Sequence, residues 1–328
     1  MIFRRRKEKE SVGEERQARI LEGEPLVLAF LSGKGGCGKS TIAANTAVLL
    51  SVLYGKVIAI DMDITNATLT SMMFAVTPEV LKEDDGVSTI DYIVEGAETY
   101  SLYRLEFPPG KKFNIQVSGQ RNKGVAVKDI YVLPAKKATI SYERNLMALA
   151  HLTKEEIRSS LLELYTFILK FARTQGIRYI LLDFPPLRPD QRKVFDGVFM
   201  LLEHISNFIM VSSFDFSAVH GLIGILNQRY SFLKPRTRGF FINMAVPEQQ
   251  AMEQIRRYIE TIYGEGTVFF IRRDPRWTVT FIPPIILDDP SKGAHADLIK
   301  AYVRLGIVER EVVKNKLGFD PLTNQTNF

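Results

Sequence analysis

The chain has 328 residues, 46% of them hydrophobic and 24% charged, with a formal net charge of +6, a balance ordinary for a soluble globular protein with room for one large α/β domain. No apolar run approaches a membrane-spanning length, and no apolar signal core follows the basic start, so the expected location is cytoplasmic. The single cysteine, Cys37, excludes an intramolecular disulfide framework and any CxxC metal or iron–sulfur motif.

Residues 1–24 are polar and charge-rich without a core face and read as a flexible tail. Ile2 and Phe3 followed by Arg4 to Lys7 also suit weak docking on an anionic membrane, although glutamates soon cancel the charge. From residue 25 onward the chain reads as a single domain. Leu26 to Leu31 is an apolar strand that leads into Gly33-Lys34-Gly35-Gly36-Cys37-Gly38-Lys39-Ser40-Thr41 and then into a helix-compatible run to Leu50. In the spacing G-x-x-x-x-G-K-[ST], glycines let successive N–H groups curl around phosphate oxygens and the helix N-terminus adds partial positive charge. Lys39 then reaches the β/γ-phosphates and the Ser40 hydroxyl ligates Mg²⁺. The plain alternative is a glycine-rich turn.

Lys56 to Asp61 is a second strand, closing on Asp61-Met62-Asp63. Carboxylates at such a strand end sit where open α/β sheets bind ligands; the competing reading is a pair of aspartates capping the segment Asn66 to Phe74. Gly86 to Val94 reads as a short helix and Asp129 to Ala135 as a strand. Between them, residues 98–128 interleave aromatics with lysine and arginine around Pro108-Pro109-Gly110, which suggests an inserted β-hairpin. That composition suits either a nucleic-acid platform or a hairpin packed on its own domain. Thr153 and Glu156 make a capping box for a long amphipathic helix, which delivers the chain to the strand Tyr179 to Asp183 and then Phe184-Pro185-Pro186-Leu187. Strands at Phe208 to Ser212, Gly239 to Asn243, Val268 to Ile271 and Thr278 to Ile282 alternate with helices near 218–232, 249–263 and 294–305, the rhythm of a doubly wound, mostly parallel sheet with helices on both faces. The four histidines show no metal spacing.

The loop GKGGCGKST, with Lys34 after its first glycine, resembles the deviant Walker A motif of the MinD/ParA ATPases. The strands DMD and YVLPA and the segment DFPPL resemble further motifs of that family. The resemblance covers about residues 25 to 305 and implies a P-loop NTPase fold with ATP and Mg²⁺ as cofactors. It implies that residues 33–41 bind phosphate, that Lys34 reaches the phosphates of a partner in an ATP-sandwiched homodimer, and that Asp63 positions the attacking water. By the same likeness Asp61, Asp63 and Asp183 join Ser40 around magnesium, while Asn243 and Pro283 flank adenine. The catalytic set is then Lys34, Lys39 and Asp63. Where the family's switch II carries glycine this chain has Leu187, which points to slow hydrolysis or a differently read switch.

The implied function is an ATPase that dimerises on ATP, binds a surface and is released by hydrolysis, with a protein activator. The surface is either non-specific DNA, through residues such as Arg236, Arg238, Arg256, Arg257, Arg272 and Arg273 or through the inserted hairpin, or an anionic membrane, which places the protein peripherally on nucleoid or membrane. The alternative is a nucleotide-dependent scaffold with negligible turnover.

Overall fold

The computed structural model describes residues 24–75, 81, 87–96, 102–105, 112–113, 116–117, 120–121, 125–127, 129–136, 140–187, 193–278 and 290–323. The eight strands of the main sheet are β1 (Leu26–Ser32), β2 (Val57–Asp61), β3 (Tyr103–Leu105), β8 (Ile130–Leu133), β9 (Tyr179–Asp183), β10 (Phe208–Ser213), β11 (Thr237–Ala245) and β12 (Val268–Arg272). Their order is β12-β11-β10-β1-β9-β2-β8-β3, parallel throughout except where β3 pairs antiparallel with β8 at the edge.

The helices are α1 (Lys39–Tyr54), α2 (Thr68–Met73), α3 (Thr89–Glu95), α4 (Ile140–His151), α5 (Lys154–Gln175), α6 (Lys193–Met200), α7 (Phe216–Arg229), α8 (Gln249–Tyr263), α9 (Pro275–Thr278), α10 (Gly293–Arg304) and α11 (Arg310–Leu317). Successive side chains of a strand point to opposite faces, so a sheet covered on both sides needs apolar residues at every position. Leu28 and Phe30 of β1 accordingly pack with α1, α10 and α11, while Val27, Ala29 and Leu31 pack with α3, α5, α7 and α8.

Helix α5 starts where the capping box predicts: Thr153 Oγ1 accepts from Glu156 N at 3.2 Å and Thr153 N donates to Glu156 Oε2 at 2.7 Å. Its buried residues, Ile157, Leu161, Leu164, Ile168 and Ala172, form one helical stripe. The tail's last residue, Glu24, already belongs to the fold through its ion pair with Arg173 at 2.7 Å.

Within the insertion, Lys112–Phe113 (β4) pairs antiparallel with Val125–Ala126 (β7), and Gln116–Val117 (β5) with Gln120–Arg121 (β6), which is hairpin pairing about a point between Val117 and Gln120. The Pro108-Pro109-Gly110 turn lies outside the described residues, as do residues 1–23. Thr278, expected to open a strand, instead ends helix α9, where Pro275 supplies a ring-fixed φ suited to a first helical turn. The remainder of that expected strand and Pro283 are outside the described residues. Helices α4, α6 and α11 were not foreseen.

Candidate functional site

The strand order places the C-terminal ends of β2, β9, β1 and β10 side by side, so Asp61, Asp183, Ser32 and Ser213 meet along one rim. Beneath that rim opens a cleft of about 360 Å³, lined by Ser32, residues 34 to 41, Asp63, Asn66, Thr68 and Pro186. The loop turns into α1 through Gly38, left-handed at φ 85°. A Cβ there would also lie 2.1 Å from Asn243 Nδ2, so conformation and space both require glycine. Cys37 is buried against the loop, and burial pushes its thiol pKa above the ordinary value.

Lys39 is almost wholly buried and forms an ion pair with Asp183 Oδ1; its Nζ also lies 3.5 Å from Ser40 Oγ. The second oxygen, Asp183 Oδ2, is buried without a hydrogen-bond partner among the described residues. A hydroxyl beside an underused buried carboxylate is a hard-oxygen donor pair of the kind Mg²⁺ takes, usually with water completing its shell. Burial raises the Asp183 pKa, while Lys39 pulls it down.

Asp61, its register partner across the sheet, is also fully buried and pushed up to about 7, by burial first and then by the charge of Asp183. Its oxygens are committed elsewhere: Oδ2 accepts from Thr70 N and Thr70 Oγ1, both at 2.8 Å, and Oδ1 from Asp63 N at 3.0 Å. Asp61 therefore caps α2 from outside. Asp63 lies on the cleft wall, its Oδ1 accepting from Thr65 Oγ1 at 2.8 Å and Asn66 N at 3.1 Å, and its Oδ2 from Asn66 Nδ2 at 2.9 Å. The capping geometry weighed as the alternative for these aspartates is thus present, in the same place as the cleft.

Lys34 stands at the mouth, half exposed, 3.5 Å from Asp215 Oδ2. Asp215 caps α7 by accepting from Ser217 N at 2.9 Å, and the Ser217 bonds, with Lys34 adding, hold its carboxyl below the ordinary value. Asn243 sits under the loop, its amide donating to Cys37 O at 2.9 Å. The next residue, Met244, is left-handed at φ 59°, an uncommon state for a non-glycine residue.

Of the arginines expected to face DNA, Arg236 donates to Glu203 O, Arg238 to Asn207 Oδ1, and Arg272 is bidentate with Asp297. Arg256 and Arg257 both reach Glu253. All five make contacts within the chain, those of Arg256 and Arg257 with Glu253 being exposed surface pairs.

Sequence reasoning missed Ser32, Asn66, Thr68 and Asp215 as neighbours of the site. Asp215 had a signal, a capping residue just before an apolar helical run. Asn66 had a weaker one, three residues after Asp63 in a turn.

A phosphate-shaped loop after the first strand, a lysine–aspartate pair beneath it and a second lysine at its mouth now stand on one sheet whose order can be compared with known structures. The MinC:MinD cell-division complex of Aquifex aeolicus superimposes with a TM-score of 0.54 over 87% of this chain and 97% of that one, at 18% identity. The septum site-determining protein MinD of Pyrococcus horikoshii, solved with Mg-ADP, gives 0.53 over 89% and 97%, also at 18% identity. This is the MinD/ParA P-loop NTPase fold. Residues 25–105 match the ParA family profile described as "NUBPL iron-transfer P-loop NTPase", so the resemblance read in the loop is borne out. The iron–sulfur cluster carrier protein of Bacillus subtilis is 45% identical over 53 residues, 16% of this chain and 15% of its own length. The chain thus shares about a seventh of that curated relative's length. Among the described residues no helix is long and apolar enough to cross a membrane, and no group of three or more metal-ligating side chains occurs.

Proposed function

We propose that this chain is a magnesium-dependent ATPase whose turnover is completed by a second copy of itself. The observation that carries the reading is the arrangement of the two loop lysines. Lys39 is sealed on Asp183 under the loop, whereas Lys34 stands at the mouth, paired among the described residues with a half-exposed aspartate. An exposed pair of that kind contributes little and is easily exchanged for another anion, so Lys34 is available to the phosphates of a facing protomer. Residues 33 to 41 would cradle the phosphates, Ser40 and Asp183 would hold Mg²⁺, and Asp63 would orient water. When bound, Mg²⁺ neutralises charge on the β- and γ-oxygens. Asn243 would face the base only after releasing Cys37 O, and Asp61 would act on the metal through its neighbours. As in the sequence reading, residues 25 to 328 would form one domain.

Dimerisation on ATP followed by release is the behaviour of a positioning device on nucleoid or membrane. Arg236, Arg238 and Arg272 are engaged internally and give little support to DNA as the surface, whereas Arg256 and Arg257 pair with an exposed glutamate and are as exchangeable as Lys34. A second reading, a nucleotide-dependent scaffold with negligible turnover, is favoured by one observation: Leu187 is fully buried and its N–H is taken by Ser32 O at 2.7 Å. Cluster carriage, suggested by the name of the B. subtilis relative, fits poorly with a sequence whose one cysteine is buried in the phosphate loop.

The test is sedimentation velocity of the full chain with Mg-ATP and with Mg-ADP, alongside nucleotide titration. Dimer with ATP only is the expected result. Lys39→Ala is expected to weaken ATP binding by about 100-fold or more, the loss of a buried charge-assisted phosphate contact. A monomer under saturating ATP rules out completion in trans.

A further inference from the structure

The two walls of the cleft differ in how free they are to respond to a bound phosphate. On the wall after Asp183, Phe184 N donates to Phe30 O at 3.2 Å and Leu187 N to Ser32 O at 2.7 Å. The residues between them, Pro185 and Pro186, carry no N–H and have ring-fixed φ. Phe184 and Leu187 are fully buried in one apolar layer. From 184 to 187, then, every backbone N–H already has a protein acceptor, and giving one to a phosphate would orphan a buried carbonyl.

The wall after Asp61 has the opposite character. The Asp63 carboxylate is closed by its own turn, with Asn66 Nδ2 reaching both oxygens, at 2.9 and 3.2 Å, Asn66 N at 3.1 Å and Thr65 Oγ1 at 2.8 Å. A carboxylate oxygen offers about two lone-pair sites, so Oδ1, with three of these contacts, is saturated, and Oδ2 is tethered by Asn66 Nδ2 alone among the described residues. Just beyond, Ala67 is left-handed at φ 51°, a strained state for a residue with a Cβ. Asn66 and Thr68 are exposed and line the cleft.

We propose that Asn66 is a positioning residue that parks Asp63, and that the turn from Asp63 to Thr68, not the segment 184–187, answers to the γ-phosphate of bound ATP. The inference rests on the ATPase reading above. In the parked state Oδ1 is closed to water and Oδ2 is held in the turn by the Asn66 amide. Turning the Asn66 amide away frees Oδ2 for water while Thr65 Oγ1 and Asn66 N keep Oδ1 oriented, and the strain at Ala67 is relieved as the turn opens. The pinned segment 184–187 then serves as the fixed wall against which the turn moves.

The experiment is hydrogen–deuterium exchange on the full chain with Mg-ADP and with Mg plus a non-hydrolysable ATP analogue, read with steady-state kinetics of Asn66→Ala. Both nucleotides are expected to protect residues 32–41. Exchanging ADP for the analogue is expected to change rates across 63–70 by about fivefold or more and to leave the amides of Phe184 and Leu187 unaltered. Asn66→Ala is expected to raise kcat about fivefold with KM within about twofold, the signature of a group acting on the chemical step. A change at Phe184 or Leu187, or a kcat at or below the parental value, overturns the proposal. Protection of 32–41 with no difference at 63–70 overturns it while leaving the ATPase reading intact. No protection of 32–41 by either nucleotide overturns both.

Discussion

Asp61 and Asp183 end neighbouring parallel strands in register, both fully buried, yet they do different work. Asp183 has Lys39 above it and one oxygen without a partner among the described residues, whereas both oxygens of Asp61 accept bonds, from Thr70 and from the backbone of Asp63. The chain that follows each differs as well, a pinned proline pair after Asp183 and a strained turn after Asp61. A strand end brings a carboxylate to the ligand rim of an α/β sheet, but its immediate neighbours decide whether it is a structural cap or part of the site.

The largest effect expected on this contrast comes from Asp63→Ala. Turnover should fall about 100-fold, the scale of a lost water-positioning group, while ATP binding persists and dimer accumulates. Single-turnover hydrolysis beside nucleotide titration checks it, and an unchanged rate would remove Asp63 from the chemistry. Leu187→Ala probes the fixed wall. It should cost about 2 to 5 kcal/mol of stability by leaving a cavity in a fully buried layer, read from the urea midpoint, with nucleotide affinity kept because its backbone bond to Ser32 remains. The smallest effect belongs to Ala67→Gly. Relief of left-handed strain should nearly offset the usual loss, keeping the change within about 0.5 kcal/mol, whereas Ala47→Gly inside α1 should cost about 1 kcal/mol or more.

Much of this was legible in the chain. Alternation of apolar strands with amphipathic helices gave the layered sheet, and G-x-x-x-x-G-K-S fixed the loop, because both are local patterns with a local physical cause. The capping box at Thr153 and the helix from Gln249 to Tyr263 appear at the expected residues for the same reason. The strand expected from Thr278 was less secure, since a short apolar run does not by itself distinguish strand from helix. The arginines read as a possible DNA face were legible only as charge; that Asp297 and the carbonyl of Glu203 hold two of them, while Glu253 pairs with two more at the surface, depends on residues 3 to 33 positions away.

What the sequence determined by itself, then, was the sheet, the phosphate loop and the identity of its two lysines. Only the tertiary structure decided that Lys39 rests on Asp183, 144 positions away, that Lys34 leans on Asp215, and that Leu187, noticed as a missing glycine, ties its N–H to Ser32. The reason is physical. Backbone shape and periodicity are set by near neighbours, but the bonding state of a buried carboxylate or amide is set by whichever group the fold brings within 3 Å of it.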